Sequence, residues 1–226
     1  MTRAPASPTR HGEARLERVV LASGNAGKLR EFDALLRPLG VSLVAQSTLG
    51  IEPAEEPHPT FLENALEKAR HASRRSGLPA MADDSGICVP ALGGRPGVHS
   101  ARFAALDGQG EGDAANNAWL IESLRSLPGV PDPCPPAGLA DAYYYCVLVL
   151  VRAHDDPQPI VADASWHGRV VPEARGDGGF GYDPYFLVPD TGCTAAELSA
   201  AQKNALSHRG HAAAALLAKL RDAGLT

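Results

Sequence analysis

The chain has 226 residues, with 21 Lys and Arg residues against 26 Asp and Glu residues and a formal net charge of −5. This balance excludes a general nucleic-acid binder, so an anionic ligand would have to be met by local cations. No apolar run approaches the roughly 18 residues of a membrane span, and residues 1–15 lack the apolar region of a secretory signal. The four cysteines have neither zinc-site nor disulfide spacing, which favours a protein of the reducing cytoplasm.

Strands and helices alternate in the first half of the chain, after a tail at 1–17 that we expect to be frayed or disordered. Short apolar runs predict buried strands at 18–23, 41–46, 79–82 and 87–92. Apolar residues at helical spacing predict helices at 27–40, 59–77 and 113–127. Gly40 and Gly77 are expected to end the first two helices, and Asp113 to cap the third.

The second half of the chain has a different pattern. Residues 128–141 contain five prolines and two glycines, which predicts an irregular loop. Residues 143–152 and 159–171 then predict a long hairpin of half-buried strands, followed by a short strand at 185–189. The last segment, 207–224, predicts a helix with a serine at its cap position. Early alternation followed by a late hairpin predicts an α/β protein with a mixed sheet.

Two adjacent aspartates, Asp83 and Asp84, follow a short apolar run, although neighbouring carboxylates repel each other. Successive side chains of an extended strand point to opposite faces, so one carboxylate can face a cleft while the other braces the loop. A hard cation such as Mg²⁺ takes one or two carboxylates together with substrate phosphates. Glu55 and Glu56, in the loop before the second helix, could add a carboxylate. The alternative is a polar turn at 85–86 in which Asp83 caps backbone N–H groups.

Two further segments combine glycine with residues that suit a nucleotide. The turn at 23–28 offers glycine backbone, a helix N-terminus and the charge of Lys28, a combination that suits phosphate. It is not a P-loop, and such turns also occur for structural reasons alone. Phe180 and Tyr182 lie in a loop at 176–184 with four glycines in its first six residues. Each ring either stacks on a nucleobase or anchors the loop to the core.

Polar side chains on two predicted helices also bear on a site. Thr60, Asn64 and Lys68 form one stripe along the second helix, which is usually a solvated face. His208 and Arg209 lie in the first turn of the last helix, where cations oppose the helix dipole. A bound anionic or polar group would relieve this conflict.

Five blocks occur in one order along the chain: LASGNAGKLREF, EEP…TFLENALEKAR, ADDSGICVPALGGRPGVHSARF, GGFGYDPYF and AELSAAQKNALSHRG. Together they closely resemble the inosine/xanthosine triphosphate pyrophosphatase family over residues 19–220. Members of that family hydrolyse non-standard purine nucleoside triphosphates to the monophosphate and pyrophosphate. The resemblance implies a single domain over 18–226, with an elongated mixed α/β fold of two lobes and a central cleft. It also implies a Mg²⁺ requirement and a homodimer.

The resemblance also assigns roles to matching residues. Asp84 would hold the metal and accept a proton from the attacking water, and Glu56 would be the second acidic metal ligand. Ser85 would contact the substrate. The residues that would contact the triphosphate are Ser23, Gly24, Asn25, Ala26, Gly27, Lys28 and Lys68. The residues that would form the base pocket are Phe180, Gly181, Tyr182, Asp183, Lys203, His208 and Arg209.

Two other functions stay open beside this one. A related pyrophosphatase could act on methylated or pyrimidine triphosphates, although the intact FGYD and SHR blocks argue against it. A catalytically silent nucleotide-binding or sensing protein would have less need of Lys28, Lys68 and the two acidic residues together. Hydrogen-bond donors at the purine 6-oxo group would reject ATP, and Lys203 and Arg209 are our hypothesis for those donors.

Overall fold

The structure is a computed structural model that describes residues 15–23, 28–29, 32–33, 36–37, 40–128 and 138–225. Residues 1–14 of the predicted tail, the loop residues 24–27 and most of the proline-rich segment therefore lie outside the described residues. The helix predicted at 27–40 is described in part, and its described residues 28, 29, 32, 33 and 36 are helical. Leu16, just before the first strand, is buried in the core.

Seven strands within the described ranges form one sheet. They are β1 Arg18–Leu21, β2 Ser42–Ala45, β3 Ala80–Cys88, β4 Ala140–Val151, β5 Ile160–Val170, β6 Phe186–Val188 and β7 Cys193–Thr194. The order is β2-β1-β3-β4-β5-β6-β7. β1 pairs in parallel with β2 and β3, and the remaining pairs are antiparallel. The predicted mixed sheet and the long hairpin, which is β4 and β5, are confirmed.

Five helices are described from end to end. They are α1 Phe61–Ser76, α2 Phe103–Leu106, α3 Gly112–Arg125, α4 Ala200–Leu206 and α5 His208–Asp222. Thr60 Oγ1 caps α1 by accepting a hydrogen bond from Glu63 N, and Ser207 Oγ caps α5 by accepting one from Gly210 N. α4 was not predicted, although Ser199 and Gln202 form a capping box at its start. Among the described residues, no helix is long and apolar enough to cross a membrane.

Strands β3, β4 and β5 carry the core of both lobes. Met81 on one face of β3 belongs to a cluster with the apolar residues of α5, and Ala82 on the other face packs with α1. Farther along β3, Ile87 belongs to a third cluster with α3 and β6. The two halves of these strands therefore support two lobes, and the paired aspartates lie where the halves meet.

The prediction of two short strands around a turn at 85–86 is wrong. β3 is one continuous strand, and Asp83, Asp84, Ser85 and Gly86 pair with successive residues of β4. The paired strand β4 overrides the low strand preference of these four residues. The segment that follows, Pro90–Leu92, is a 3₁₀ helix and not a strand.

A Gly86→Ala substitution is expected to lower the free energy of unfolding by about 1–3 kcal/mol, the usual cost of overpacking. A Cβ atom at residue 86 would lie 2.4 Å from both Gly97 O and Ser100 Oγ. Ser100 is held in place, because its Oγ accepts a hydrogen bond from Ile87 N and donates one to Gly97 O. Urea unfolding of both proteins measures the change, and an unaltered midpoint would contradict this packing argument.

Candidate active site

Two cavities adjoin the middle of β3. The larger, of about 280 Å³, is lined by nine of the predicted site residues: Lys28, Ser85, Phe180, Gly181, Tyr182, Asp183, Lys203, His208 and Arg209. The smaller, of about 140 Å³, is lined by Ser23, Lys28, Glu56 and Lys68 of the predicted set, and by Asp83. Lys28 lines both cavities. The predicted residues Gly24, Asn25, Ala26 and Gly27 lie outside the described residues.

The two aspartates point to opposite faces of the sheet, as their alternation along an extended strand predicts. Asp83 shares its face with Met81, the α5 side, and its Oδ2 lies 2.7 Å from Lys28 Nζ and 3.8 Å from Arg209 Nε. Its side chain is 1% exposed. Burial raises the pKa of Asp83, but the charges of Lys28 and Arg209 outweigh burial and hold it below its usual value. Asp83 is therefore ionised and joins these two cations.

Asp84 shares the opposite face with Ala82 and meets α1. Its Oδ1 lies 3.0 Å from Lys68 Nζ, and its Oδ2 accepts a hydrogen bond from Asn64 Nδ2 at 3.4 Å. Lys68 Nζ also donates to Glu56 Oε1 at 2.8 Å. Part of the polar stripe on α1 is thus buried against the aspartates and does not face solvent. The Lys68 ammonium therefore contacts both Asp84 and Glu56, the two carboxylates that the family resemblance assigns to a metal.

These neighbours shift the titration of all three groups. Burial raises the pKa of Asp84, the Glu56 carboxylate adds to that rise, and Lys68 offsets it only in part. Burial also raises the pKa of Glu56, but hydrogen bonding and charge from Lys68 outweigh burial, so the pKa is lowered. Burial lowers the pKa of Lys68, but the surrounding carboxylates, with Asp84 first among them, raise it above its usual value.

The carboxylates around Lys68 are the candidate ligands for a metal ion. The described residues hold no group of three or more His, Cys, Asp and Glu side chains arranged to bind an ion. Glu56 and Asp84 instead converge on the Lys68 ammonium, so two hard oxygen ligands already face one cationic position. Mg²⁺ typically takes one or two carboxylates and completes its shell with water and substrate phosphates. The residues present therefore fit a Mg²⁺ ion that arrives with a phosphorylated substrate.

Phe180 and Tyr182 have different roles in the glycine-rich loop. The Phe180 side chain is 47% exposed, and Lys203 Nζ and Arg209 Cζ lie 5.0 and 5.5 Å from its ring centroid. Tyr182 is buried, and its hydroxyl donates to Ser100 O at 2.9 Å. Of the two alternatives, Tyr182 anchors the loop to the core, whereas Phe180 lines the larger cavity with a half-exposed ring.

Asp183 holds this loop in shape. Its buried carboxylate accepts hydrogen bonds from Phe180 N at 2.8 Å and from Tyr144 OH at 3.2 Å, and it pairs with Lys203 Nζ. Gly179 leaves the space for this, since a Cβ there would lie 2.0 Å from Asp183 Oδ2. A residue predicted to line the base pocket therefore also fixes the backbone around it.

The expected conflict at the start of α5 is largely relieved within the protein. Burial lowers the pKa of His208 well below its usual value, with the charges of Arg209 and Lys203 adding to the effect. His208 is therefore neutral near pH 7, and its ring stacks on Tyr144 at 4.8 Å. Arg209 is offset by Asp83 and donates to Ser85 Oγ at 3.3 Å.

Two residues on α3 were missed as part of the site. Asp113 was predicted to cap this helix, which is wrong: Glu111 precedes α3, and no described side chain caps it. Asp113 Oδ2 instead accepts a hydrogen bond from Gly181 N at 2.7 Å, and Asn117 Nδ2 donates to Gly181 O at 2.9 Å. Local sequence carried no signal for these contacts, because they join residues more than 60 positions apart.

Known proteins resemble this chain over nearly its whole length. The sequence model of the Ham1 family matches residues 19–219. The dITP/XTP pyrophosphatase of Ralstonia nicotianae is 61% identical over 208 residues, which cover 91% of this chain and 98% of that protein. The dITP/XTP pyrophosphatase of Bordetella pertussis is 57% identical over 209 residues, with 92% and 93% covered.

Solved structures agree with the fold. A HAM1 protein from Coxiella burnetii superposes with a TM-score of 0.81 at 40% identity, covering 92% of this chain and 100% of that one. A nucleoside-triphosphatase / dITP/XTP pyrophosphatase from Mycobacterium abscessus gives a TM-score of 0.67 at 38% identity, covering 90% and 100%. The family resemblance seen in the sequence is thereby confirmed, and the chain belongs to the Ham1 family.

Proposed function

We propose that this protein is a nucleoside-triphosphate pyrophosphatase that hydrolyses ITP, dITP and XTP to the nucleoside monophosphate and pyrophosphate. The names and high identity of its relatives support this activity. The observation that carries the proposal is the pair of cavities that share Lys28. The larger cavity contains aromatic side chains and would take the purine base of a nucleotide. The smaller cavity contains acidic and basic side chains and would take the attached phosphate chain.

The base would lie against the half-exposed ring of Phe180. Stacking on an aromatic ring contributes roughly 1–3 kcal/mol per base without selecting among bases, so selection has to come from polar groups at the rim. Lys203 and Arg209, whose charged ends lie over this ring, would donate to the 6-oxo group of hypoxanthine or xanthine. ATP carries an amino group there and would leave these donors unpaired.

The phosphates would lie toward the smaller cavity. Lys28 and Lys68 bring positive charge to a protein whose net charge is −5. Asp84 and Glu56 would hold Mg²⁺, which when bound offsets phosphate charge and lowers the pKa of a bound water. Asp84 is the proposed proton acceptor, and hydrogen bonds from Asn64 and Lys68 fix the position of its carboxylate, as a general base requires.

We also propose a role for the reaction in the cell and a working form of the protein. Removal of inosine and xanthosine triphosphates before polymerases use them would cleanse the nucleotide pool. By the family resemblance, residues 18–226 would form one catalytic domain, and the working form would be a homodimer in the cytoplasm.

A substrate panel tests the proposed function. We expect fast release of pyrophosphate from ITP, dITP and XTP, little from GTP and ATP, and none from any of them once a chelator removes the metal. Methylated purine and pyrimidine triphosphates belong in the same panel, since they identify a related pyrophosphatase of different specificity. Tight binding of ITP without turnover would contradict the proposal and indicate a nucleotide sensor.

A further inference from the structure

The first two turns of α3 bind both backbone polar groups of Gly181. Gly181 N donates to Asp113 Oδ2 at 2.7 Å, and Gly181 O accepts from Asn117 Nδ2 at 2.9 Å. Asn117 Nδ2 also donates to Asp113 O at 2.8 Å. The two residues are four positions apart and therefore lie on one face of the helix. This pair of side chains is here called the α3 clamp.

The glycine-rich loop at 176–184 depends on such contacts, because its glycine residues do not restrict its backbone conformation. Gly179 and Gly181 have φ values of +75° and +63°, and glycine allows many other backbone conformations. Phe180 lies between them with a side chain that is 47% exposed, so core packing does not set the direction of its ring. Lys203 and Arg209 lie over the ring itself, and the backbone that carries the ring is held by hydrogen bonds, among them one from Phe180 N to Asp183 and two between Gly181 and the α3 clamp.

α3 is a rigid support for this purpose. Leu120 and Leu124 are fully buried in the core of the second lobe. Asn116 ties the helix to the preceding segment, because its Oδ1 accepts from Ala104 N at 2.9 Å and its Nδ2 donates to Ala101 O at 3.2 Å. Displacement of the α3 clamp would therefore require movement of a packed helix.

We propose that Asp113 and Asn117 are positioning residues that hold Phe180 in the orientation a purine base stacks on. This inference rests on the proposed function, since it assigns the base end of the substrate to that ring. The clamp acts through hydrogen bonds to the backbone. Asp113 therefore serves as an acceptor, and its negative charge is not what the loop requires.

Binding measurements on four variants test the clamp. Asp113→Ala and Asn117→Ala each remove one hydrogen bond to Gly181, whereas Asp113→Asn retains an acceptor oxygen. Ser126→Ala is the control, because it removes a side-chain hydrogen bond, from Ser126 Oγ to Glu122 O at 2.9 Å, at the opposite end of α3. The probes are ITP and inorganic tripolyphosphate, with dissociation constants measured by calorimetry in chelator. The steady-state KM and kcat for ITP are then measured in Mg²⁺, and the unfolding midpoint of each variant is measured as well.

We expect Asp113→Ala and Asn117→Ala to raise the Kd and KM for ITP about tenfold each, as the loss of one well-placed hydrogen bond does. Their kcat and their affinity for tripolyphosphate should stay close to wild type, because the phosphate end does not use this loop. Asp113→Asn should bind ITP nearly as well as wild type. Ser126→Ala should keep its ITP affinity.

Other results would overturn the inference. Unchanged ITP affinity in both alanine variants would remove the clamp from base binding, and an equal loss of tripolyphosphate affinity would indicate a general structural role. If the wild type hydrolyses ITP and the two alanine variants bind and hydrolyse it equally well, the result contradicts the role of the α3 clamp and leaves the proposed function standing. Absence of both binding and turnover of ITP in the wild type would contradict the clamp and the proposed function together.

Discussion

Replacing Asp84 by asparagine is expected to lower the turnover of ITP about a hundredfold or more, the usual contribution of a positioned general base. Asparagine keeps the size of the side chain and removes its charge, so Lys68 Nζ faces a neutral amide in place of the carboxylate whose oxygen lies 3.0 Å away. The Mg²⁺ concentration needed for half-maximal rate should also rise, because one of two proposed carboxylate ligands is gone. Initial rates of pyrophosphate release over a range of Mg²⁺ concentrations measure both effects.

The matched control is Asp141→Asn on β4. Asp141 is exposed, lines neither cavity and pairs with Arg169 at 2.9 Å, so the same change of charge is made outside the site. This control should turn over ITP like wild type. Full turnover of Asp84→Asn at saturating Mg²⁺ would contradict both proposed roles of Asp84.

Replacing Asp83 by asparagine is expected to act mainly on stability. Asp83 is almost completely buried and lies between Lys28 and Arg209. Removal of one partner from a buried ion pair typically lowers the free energy of unfolding by about 3–5 kcal/mol. Urea unfolding near neutral pH measures the loss. Asp141→Asn again serves as the control, since an exposed ion pair contributes little to stability.

The pH dependence of the same variant gives a second check. Because the pKa of Asp83 is lowered on folding, its charge stabilises the folded protein above the unfolded pKa of about 3.9. That stabilisation is lost as the pH falls below this value toward the lower pKa of the folded state. The difference between wild type and Asp83→Asn should therefore be largest near neutral pH and shrink below about pH 4. A difference that stays constant into that acid range would contradict the ionised, paired state of Asp83.

Much of the fold could be predicted from local pattern. The helix ending at Gly77 and the hairpin of β4 and β5 each carry a clear apolar period and end at residues that stop them, so the structure departs from those predictions only at their ends. The continuous strand β3 could not be predicted in the same way. Asp83 to Gly86 have low strand preference, and only the partner strand β4 makes them a strand.

The candidate site, like the fold, could be predicted only in part from the sequence. The opposite directions of Asp83 and Asp84 follow from strand alternation alone, and the structure places them on the two faces that this predicts. Which cation meets which carboxylate does not follow, because Lys28, Lys68 and Arg209 come from three distant segments. Asp113 illustrates the limit most clearly: its place in the first turn of a helix suggests a cap, while its actual partner is Gly181 in the glycine-rich loop.

The unbroken course of β3, β4 and β5 through both lobes also restricts how the protein can move. Hinge closure between lobes usually takes place at a few residues in the connecting segments. Here the lobes are joined by three hydrogen-bonded strands, and rotation of one lobe against the other would have to bend the sheet itself.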